Sequence, residues 1–519
     1  MLPVIIAGAG PTGLALALAL ARREVPVVVL DGGQGPSPRR LARTCVLPPD
    51  TAHWAWLPGA GQDAAVWSAW RTMHRGREVR RVEFPSPGTA PVQLPQHVLE
   101  GALRAAVAGH SRIRMAAGHR LSQLEDTGQE VVVHTAAEAP GERGRERERT
   151  WRGSYLVGCD GKRSTVRKLL GIGFPGRTNV ERYAVAALRA ELPWPGEAGL
   201  HRGIPPGEVT VRPLTEGRWR LDWPLPPGDG LVTPDAVLDR LHATLAAWHD
   251  GEVPEYDLLD TGVHVCHQRL ARRWRTGRVF LAGDAAHLLG ALGTQRVAEN
   301  LRDADNLAWK LALAWHGDGG EALLDSYEAE RRGAVGHRLR AVDQALPLVR
   351  GRGVAARLTG RTRARLALLA DGHVGAGPLG APPRYDGSPL TPPGTGLSVT
   401  DTPPGAPVAD VAVTALDGSR GTVRDWLGGK VLLILTAPGS QVWEPRHWLS
   451  AGLMPELSAM AQALPLPAEL LVTEGYPGTS PHTLLVVRPD GHLVGALPGT
   501  DHAGIRACVA AMRGDAQPG

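Results

Sequence analysis

Residues 277–310 read GRVFLAGDAAHLLGALGTQRVAENLRDADNLAWK, and the fold turns on how that stretch is parsed. Val279 to Ala282 is an apolar run of buried-strand type. It stops at Gly283-Asp284, passes through small residues to His287, and reaches a loop from Gly290 to Gly293. From there Val297, Leu301, Ala304, Leu307, Ala308 and Leu311 recur at threes and fours, the spacing of a helix with one apolar face. Strand, acidic turn, glycine loop and long helix bring a helix N-terminus up to an anionic group. The same order also serves as a plain strand-helix connection in an α/β protein.

The beginning of the chain favours the first reading. Val4-Ile5-Ile6-Ala7 is a buried strand, Gly8-Ala9-Gly10-Pro11-Thr12-Gly13 follows it, Leu14 to Arg22 is helical, and Val25 to Leu30 is a strand closing on Asp31. In this setting the first glycine makes the turn, the second lets backbone approach a pyrophosphate, and the third permits close helix-strand packing. The acidic residue about twenty positions on bonds a ribose hydroxyl. Dinucleotide binding is the expectation; a glycine turn in a non-binding βαβ unit is the alternative. A third strand, Tyr155 to Cys159, ends in Asp160-Gly161-Lys162-Arg163, and Ser164 caps a helix to Leu170. It reads either as a grip on a second anionic cofactor or as a capped turn.

Net charge is +5 over 519 residues, too small to argue for nucleic acid, and no basic stripe with interleaved aromatics supports one. Cys45, Cys159, Cys266 and Cys508 lie far apart, without CxxC or a nearby histidine pair. That argues against a zinc site or disulfide framework and for a reducing compartment. No signal peptide is expected, and Leu14 to Leu20 is too short to cross a bilayer. A soluble cytoplasmic protein follows, with no membrane or nucleic-acid partner, as monomer or homodimer.

Between these landmarks, Arg39, Arg40 and Arg43 lie in a Pro-rich connection, suited to neutralising a pyrophosphate or simply to solvent. Arg71 to Phe84 looks like a two-strand excursion, and Gln96 opens the helix His97 to Ala108. Leu121 and Leu124 share a short strand, Val131 to His134 forms another, and Glu142 to Arg149 reads as a solvated hairpin tip. From Arg177 to Cys266 alternating segments suggest a half-buried antiparallel sheet. Trp194, Trp219, Trp223 and Trp248 give it indole surface, so an apolar wall for a flat hydrophobic substrate is one expectation and plain core is the other. Two helices, Glu321 to Arg340 and Val342 to Leu369, lead to a Pro/Gly-dense linker from Ala376 to Pro407. The remainder has β-α-β-β-α order, which suggests a thioredoxin-like domain without the CxxC of a dithiol redox role.

GAGPTG from Gly8, CDGKRSTVR from Cys159 and GRVFLAGDAAH from Gly277, in that order, resemble the class A flavoprotein monooxygenases, the p-hydroxybenzoate hydroxylase-like family. The tail makes the chain look like the branch that tailors aromatic polyketides. The implied architecture is α/β: a Rossmann-type FAD-binding domain (1–176 and 267–375), an inserted antiparallel-sheet substrate domain (177–266), a linker (376–407) and a thioredoxin-like domain (408–519). By resemblance Gly8, Gly10, Pro11, Thr12, Gly13 and Asp31 hold the ADP half of FAD, and Leu121 gives a backbone contact to adenine. Arg43 and Gln96 match flavin-contacting positions, Gly283-Asp284 the ribityl and pyrophosphate site, and Asp160-Gly161 a motif linked to both FAD and NAD(P)H.

The implied chemistry is the cofactor's. NAD(P)H reduces FAD, dioxygen adds at flavin C4a, and one oxygen passes to a bound substrate by hydroxylation, epoxidation or Baeyer–Villiger-type insertion. No side chain is expected to act as nucleophile. Non-redox cyclases of the same fold that keep FAD structurally are the alternative, and a flavin-free scaffold is the third. The chain departs from the family after GDAAH, where a proline and a GGQGxNxG-type loop give way to Ala291, Gly293-Thr294-Gln295-Arg296-Val297, Ala298 and Asn300. Arg296 stands where a glycine normally lets amides meet the flavin. Were its φ positive, a side chain there would cost about 1–2 kcal/mol. The arginine then points at the flavin, fills flavin or substrate space, or turns harmlessly outward.

Overall fold

The computed structural model describes residues 1–519 except 34, 36–37, 139–145, 227–229, 351–361, 393–399, 440–452, 500 and 516–519. Its first sheet has the strand order Arg275–Thr276, Val279–Leu281, Tyr155–Gly158, Val4–Ala7, Val27–Asp31, Ile113–Ala117. All neighbours are parallel except the Arg275–Thr276 edge. Ala7 pairs with Gly158 and Gly158 with Leu281, so the three motif-bearing strands end side by side. Their continuous Val/Ile/Leu runs suit strands covered on both faces, and the helix Pro11–Ala21 covers one of them. Arg120–Asp126, Val131–Glu138 and Glu146–Gly153 form a separate three-stranded layer; residues 142–145 of the expected hairpin tip lie outside the described residues, and 146–149 belong to the third strand.

The second sheet has eight strands and reaches beyond residues 177–266. The excursion near residues 71–84 is a hairpin, Ala69–His74 and Arg77–Glu83, whose first strand runs parallel to Glu197–Ile204 and widens the sheet. At the other edge Tyr256–Leu270 pairs with His287–Leu288. Alternation sorts the side chains. Ala184, Ala186, Leu188, Val209, Val211, Trp219, Leu221 and Trp223 pack beneath the helix Pro234–Trp248 through Val237, Leu241 and Leu245. Trp223 Nε1 donates to Thr244 Oγ1 at 2.9 Å. Trp194 and Trp248 enclose His201, 4.6 and 4.9 Å from its ring. Of the two expectations for the indoles the apolar wall is corrected and plain packing holds: none of the four tryptophans lines the cavity, and the sheet face that does carries charge.

The helix Arg296–His316 crosses the nucleotide layer against Pro11–Ala21. A break near residue 341 was expected, but Glu321–Tyr327 continues through a π turn, Glu328–Arg332, into Gly333–Val349, which has Val342 in its middle. The second expected helix partly lies outside the described residues and resumes as Thr362–Val374. The C-terminal sheet has six strands, with Val431–Thr436 parallel to Ala468–Thr473 and antiparallel to Thr483–Val487. Buried charges join it to the rest. Glu330 accepts from Lys310 Nζ at 2.6 Å and Arg488 Nη1 at 2.6 Å, and Arg488 also pairs with Asp490 at 2.6 Å.

Candidate functional site

Glycine contacts lock the three strand ends together. Gly8 has φ +107, and a Cβ there would stand 2.5 Å from the Cys159 carbonyl oxygen. Gly283 has φ +62, and its Cβ would stand 2.5 Å from Thr12 Oγ1. Gly13 sits against the Gly8 carbonyl, closer than any side chain tolerates. Gly10 differs: nothing lies within 4 Å of its notional Cβ. It precedes the helix that begins at Pro11, and no side chain caps the first amides of that helix. Asp31 ends the next strand with Arg104 Nη2 3.6 Å from its carboxylate, while Arg104 also donates to the Ala9 carbonyl at 3.0 Å. The His119 amide donates to the Asp31 carbonyl at 2.8 Å, which sets buried Leu121 beside that strand end.

Asp160 acts as a helix cap. Its Oδ2 accepts the amides of Thr165 at 2.6 Å and Val166 at 3.0 Å, whereas Oδ1 is buried without a partner. Arg43 and Gln96 meet directly: Arg43 Nε donates to Gln96 Oε1 at 2.9 Å, and the Gln96 amide donates to the Arg43 carbonyl at 2.9 Å. Asp284 accepts from Asn300 Nδ2 at 2.9 Å, and Arg296 Nε lies 3.7 Å away. Asn300 Oδ1 is buried and unpartnered.

The strain expected at Arg296 falls elsewhere. Arg296 opens the helix and its φ is not positive; the left-handed residues are Leu292 (φ 53) and Gly293 (φ 75). The arginine does not turn outward, because it lines the cavity beside Asp284. Gln295, the helix cap, donates through Nε2 to the Gly293 carbonyl at 2.8 Å and leaves the helix N-terminus without a side-chain cap.

A scaffold that sequence reading did not pick out holds this loop. The Leu292 amide donates to Glu181 Oε2 at 2.8 Å, and Tyr183 donates to the same oxygen at 2.9 Å. Arg350 pairs with Glu181 at 2.6 Å and Glu208 at 2.7 Å. From the other side Gly372 and His373 press on the loop, and the His373 ring stacks on Trp70 at 4.9 Å and 15°. Burial, reinforced by Arg212, pushes His373 down to about 3, so it is neutral.

Arg43, Gln96, Asp284, Gly293, Gln295, Arg296 and Val297 share a cavity of about 780 Å³ with the charged face of the eight-stranded sheet. The remaining predicted residues, Gly8 to Gly13, Asp31, Leu121, Asp160 and Gly283, lie outside that cavity, and most of them line the strand ends. On the sheet wall Asp222 pairs with Arg212 and, at 2.6 Å, with Arg220, which also donates to Thr44 Oγ1 at 2.9 Å. Burial raises the Asp222 carboxyl, but Arg212 and Arg220 outweigh it and hold the group below its usual range. Next to them burial, Arg220 and Arg296 push His264 down to about 3. Among the described residues no cluster of His, Cys, Asp and Glu could hold a metal, and no helix is long and apolar enough to cross a membrane.

The FAD binding domain family model matches residues 1–342. The 6-methylpretetramide 4-monooxygenase of Streptomyces rimosus is 33% identical over 358 residues, 67% of this chain and 62% of that one. The chain thus spans less than two thirds of that relative's length. A dialkyldecalin synthase of Streptomyces rugosporus is 31% identical over 349 residues, 64% of this chain and 69% of that one. Among solved structures, a ternary complex of aklavinone-11 hydroxylase with FAD and aklavinone superposes with TM-score 0.70 at 25% identity, covering 99% of both chains.

Proposed function

The chain belongs to the FAD binding domain family, and from that premise we propose that it is a FAD-dependent monooxygenase acting on a polycyclic or polyketide-derived compound, with NAD(P)H as reductant and dioxygen as co-substrate. The residues present suit FAD. The open cradle at Gly10, with uncapped helix amides behind it, has room for a pyrophosphate where a Cβ would intrude. Asp31 stands where a ribose hydroxyl would be bound. The orphaned Asn300 Oδ1 and Asp160 Oδ1 are acceptors without protein donors. FAD, when bound, supplies two-electron redox chemistry and oxygen activation.

The chain's own residues do the rest. Gly8, Gly10, Pro11, Thr12, Gly13, Asp31 and Leu121 would hold the adenosine and pyrophosphate, with Asp160, Gly283 and Asp284 along the chain of the cofactor. Arg43, Gln96, Gly293, Gln295, Arg296 and Val297 would frame the ring at the cavity, where the uncapped helix N-terminus favours negative charge. We divide the chain as 1–176 with 267–375 for FAD, 177–266 for substrate, 376–407 as linker and 408–519 as a thioredoxin-like unit; the parallel pair flanked by antiparallel strands supports the last assignment.

The observation carrying this reading is the cavity itself, walled by the Gly290–Val297 loop on one side and a substrate-sized sheet face on the other. The test is NAD(P)H oxidation by FAD-loaded protein under labelled dioxygen. Substrate-stimulated oxidation with label in the product is expected; neither appearing would overturn it. The likeness to a dialkyldecalin synthase favours a second reading, cyclisation with FAD retained structurally. Product formed without NAD(P)H and oxygen would select it.

A further inference from the structure

The sheet wall of the cavity carries an imbalance of charge. Arg212 and Arg220, directly opposite each other on paired antiparallel strands, share one carboxylate, Asp222. Arg350, by contrast, is balanced by Glu181 and Glu208, Arg40 by Asp260, and Arg296 faces Asp284. Arg220 has a partner at each nitrogen, giving Nε and Nη2 to Asp222 and Nη1 to Thr44. Arg212 is 8% exposed, reaches Asp222 through Nη2, and keeps its Nε buried without a partner among the described residues. A buried guanidinium with donors to spare is costly unless something completes its shell. His264 beside it is neutral and adds no positive charge of its own. Around the cluster Val185, Leu200, Val263 and Val265 offer apolar contact for carbon rings.

We propose that Arg212, oriented by Asp222 and flanked by Arg220, is the specificity-determining contact for an acidic oxygen of the substrate, an ionised enol or phenol on an otherwise apolar ring system. The inference rests on the cavity being the substrate site. Asp222 fixes the guanidinium from behind, and the anion takes the donors that Asp222 leaves open. A neutral ether in the same place loses the charge-assisted bond and leaves the cation uncompensated.

The test is equilibrium titration of the FAD-loaded full chain with alizarin, whose 2-hydroxyl ionises near neutrality, and with its 2-methyl ether, read by quenching of flavin fluorescence. The expected result is alizarin bound about tenfold or more tighter than the ether. Arg212→Met should reduce that ratio to about one, chiefly by weakening alizarin binding. Asp222→Asn, which keeps both arginines and removes their counter-charge, should raise the ratio, and it tests the assignment even if Arg212→Met does not fold. An unmodified protein indifferent to the ether, or a ratio retained in Arg212→Met or lowered in Asp222→Asn, overturns the inference. So does an Arg212→Met protein that loses FAD affinity and keeps the ratio, since Arg212 then serves the cofactor. No reductant or oxygen enters the titration, so its failure is separate from failure to oxygenate.

Discussion

Gly293→Ala probes the loop that faces the cofactor site, and its cost can be worked from the geometry. A Cβ at Gly293 would stand 2.6 Å from both Cδ2 and Cε1 of His373. That ring cannot swing away freely, because Trp70 stacks behind it. Two contributions add. An L side chain at φ 75 costs about 1–2 kcal/mol, and forcing the ring aside costs about 1–3 kcal/mol, for a total of about 2–5 kcal/mol. If the loop shifts rather than the whole protein unfolding, the cost emerges as weaker FAD binding, tenfold for each roughly 1.4 kcal/mol. The assay is FAD affinity by fluorescence quenching, together with urea denaturation, for Gly293→Ala, His373→Ala and the double variant. Removing the ring takes away the overlap but not the backbone strain. The double variant should therefore recover about 1–3 kcal/mol relative to the sum of the singles. Strict additivity, or a Gly293→Ala protein within about 0.5 kcal/mol of the parent, would refute the reasoning.

Gly10→Ala and Gly8→Ala should separate cofactor from fold: the first has room and should melt normally while FAD affinity drops at least tenfold, whereas the second drives a Cβ into Cys159 and should lower the melting temperature of the apo-protein. His373 should make stability acid-sensitive. Its folded value of about 3 lies below the unfolded 6.5, so the unfolded state binds the proton first and stability falls as pH drops from 6.5 towards 3. Between pH 6.5 and 5 that is up to about 2 kcal/mol, and His373→Asn should remove that share of the slope in urea titrations across the range, leaving the shares of His264 and His201. Arg488→Met leaves Glu330 and Asp490 short of a buried partner and should cost about 3–5 kcal/mol, read as a lower urea midpoint and faster proteolysis between the C-terminal sheet and the remainder.

The nucleotide layer was legible because its signals are local. Each of the three motifs is a strand end plus a turn, and strand, glycine and acid follow within a few residues, so residue order alone predicted the ends that the sheet sets side by side. The substrate wall was legible only as two open readings of its tryptophans, apolar wall or plain core. In Arg218–Pro224 the sequence RWRLDWP alternates strictly, and period two decides between them by putting Trp219 and Trp223 on the covered face. Arg220 and Asp222 on the other face were the signal. Glu181, Arg350 and His373 had no such signal. They reach the Leu292 loop from positions 111, 58 and 81 residues away in the chain, and only the folded sheet and helices bring them there. The displacement of strain from Arg296 to Leu292 has the same origin: the helix starts at Arg296 itself, so the turn must be made earlier.

The π turn at Glu328–Arg332 sets an angular phase for the molecule. It holds one residue more than an α turn would, and each residue of an α-helix advances the azimuth by about 100°. Everything in Gly333–Val349 and its cap Arg350 is therefore rotated by more than a quarter turn relative to an uninterrupted helix. With that offset Arg338 arrives 3.2 Å from Glu299, and Arg350 reaches Glu181 and Glu208 at the cavity. Inside the wide turn, neighbours Glu330 and Arg331 are both buried yet serve different partners, Lys310 and Arg488 for one, Glu299 and Asp303 for the other. A single surplus residue thus acts as a gear tooth, meshing the charged seam of the C-terminal sheet with the loop that frames the cofactor, so that neither end can be re-phased alone.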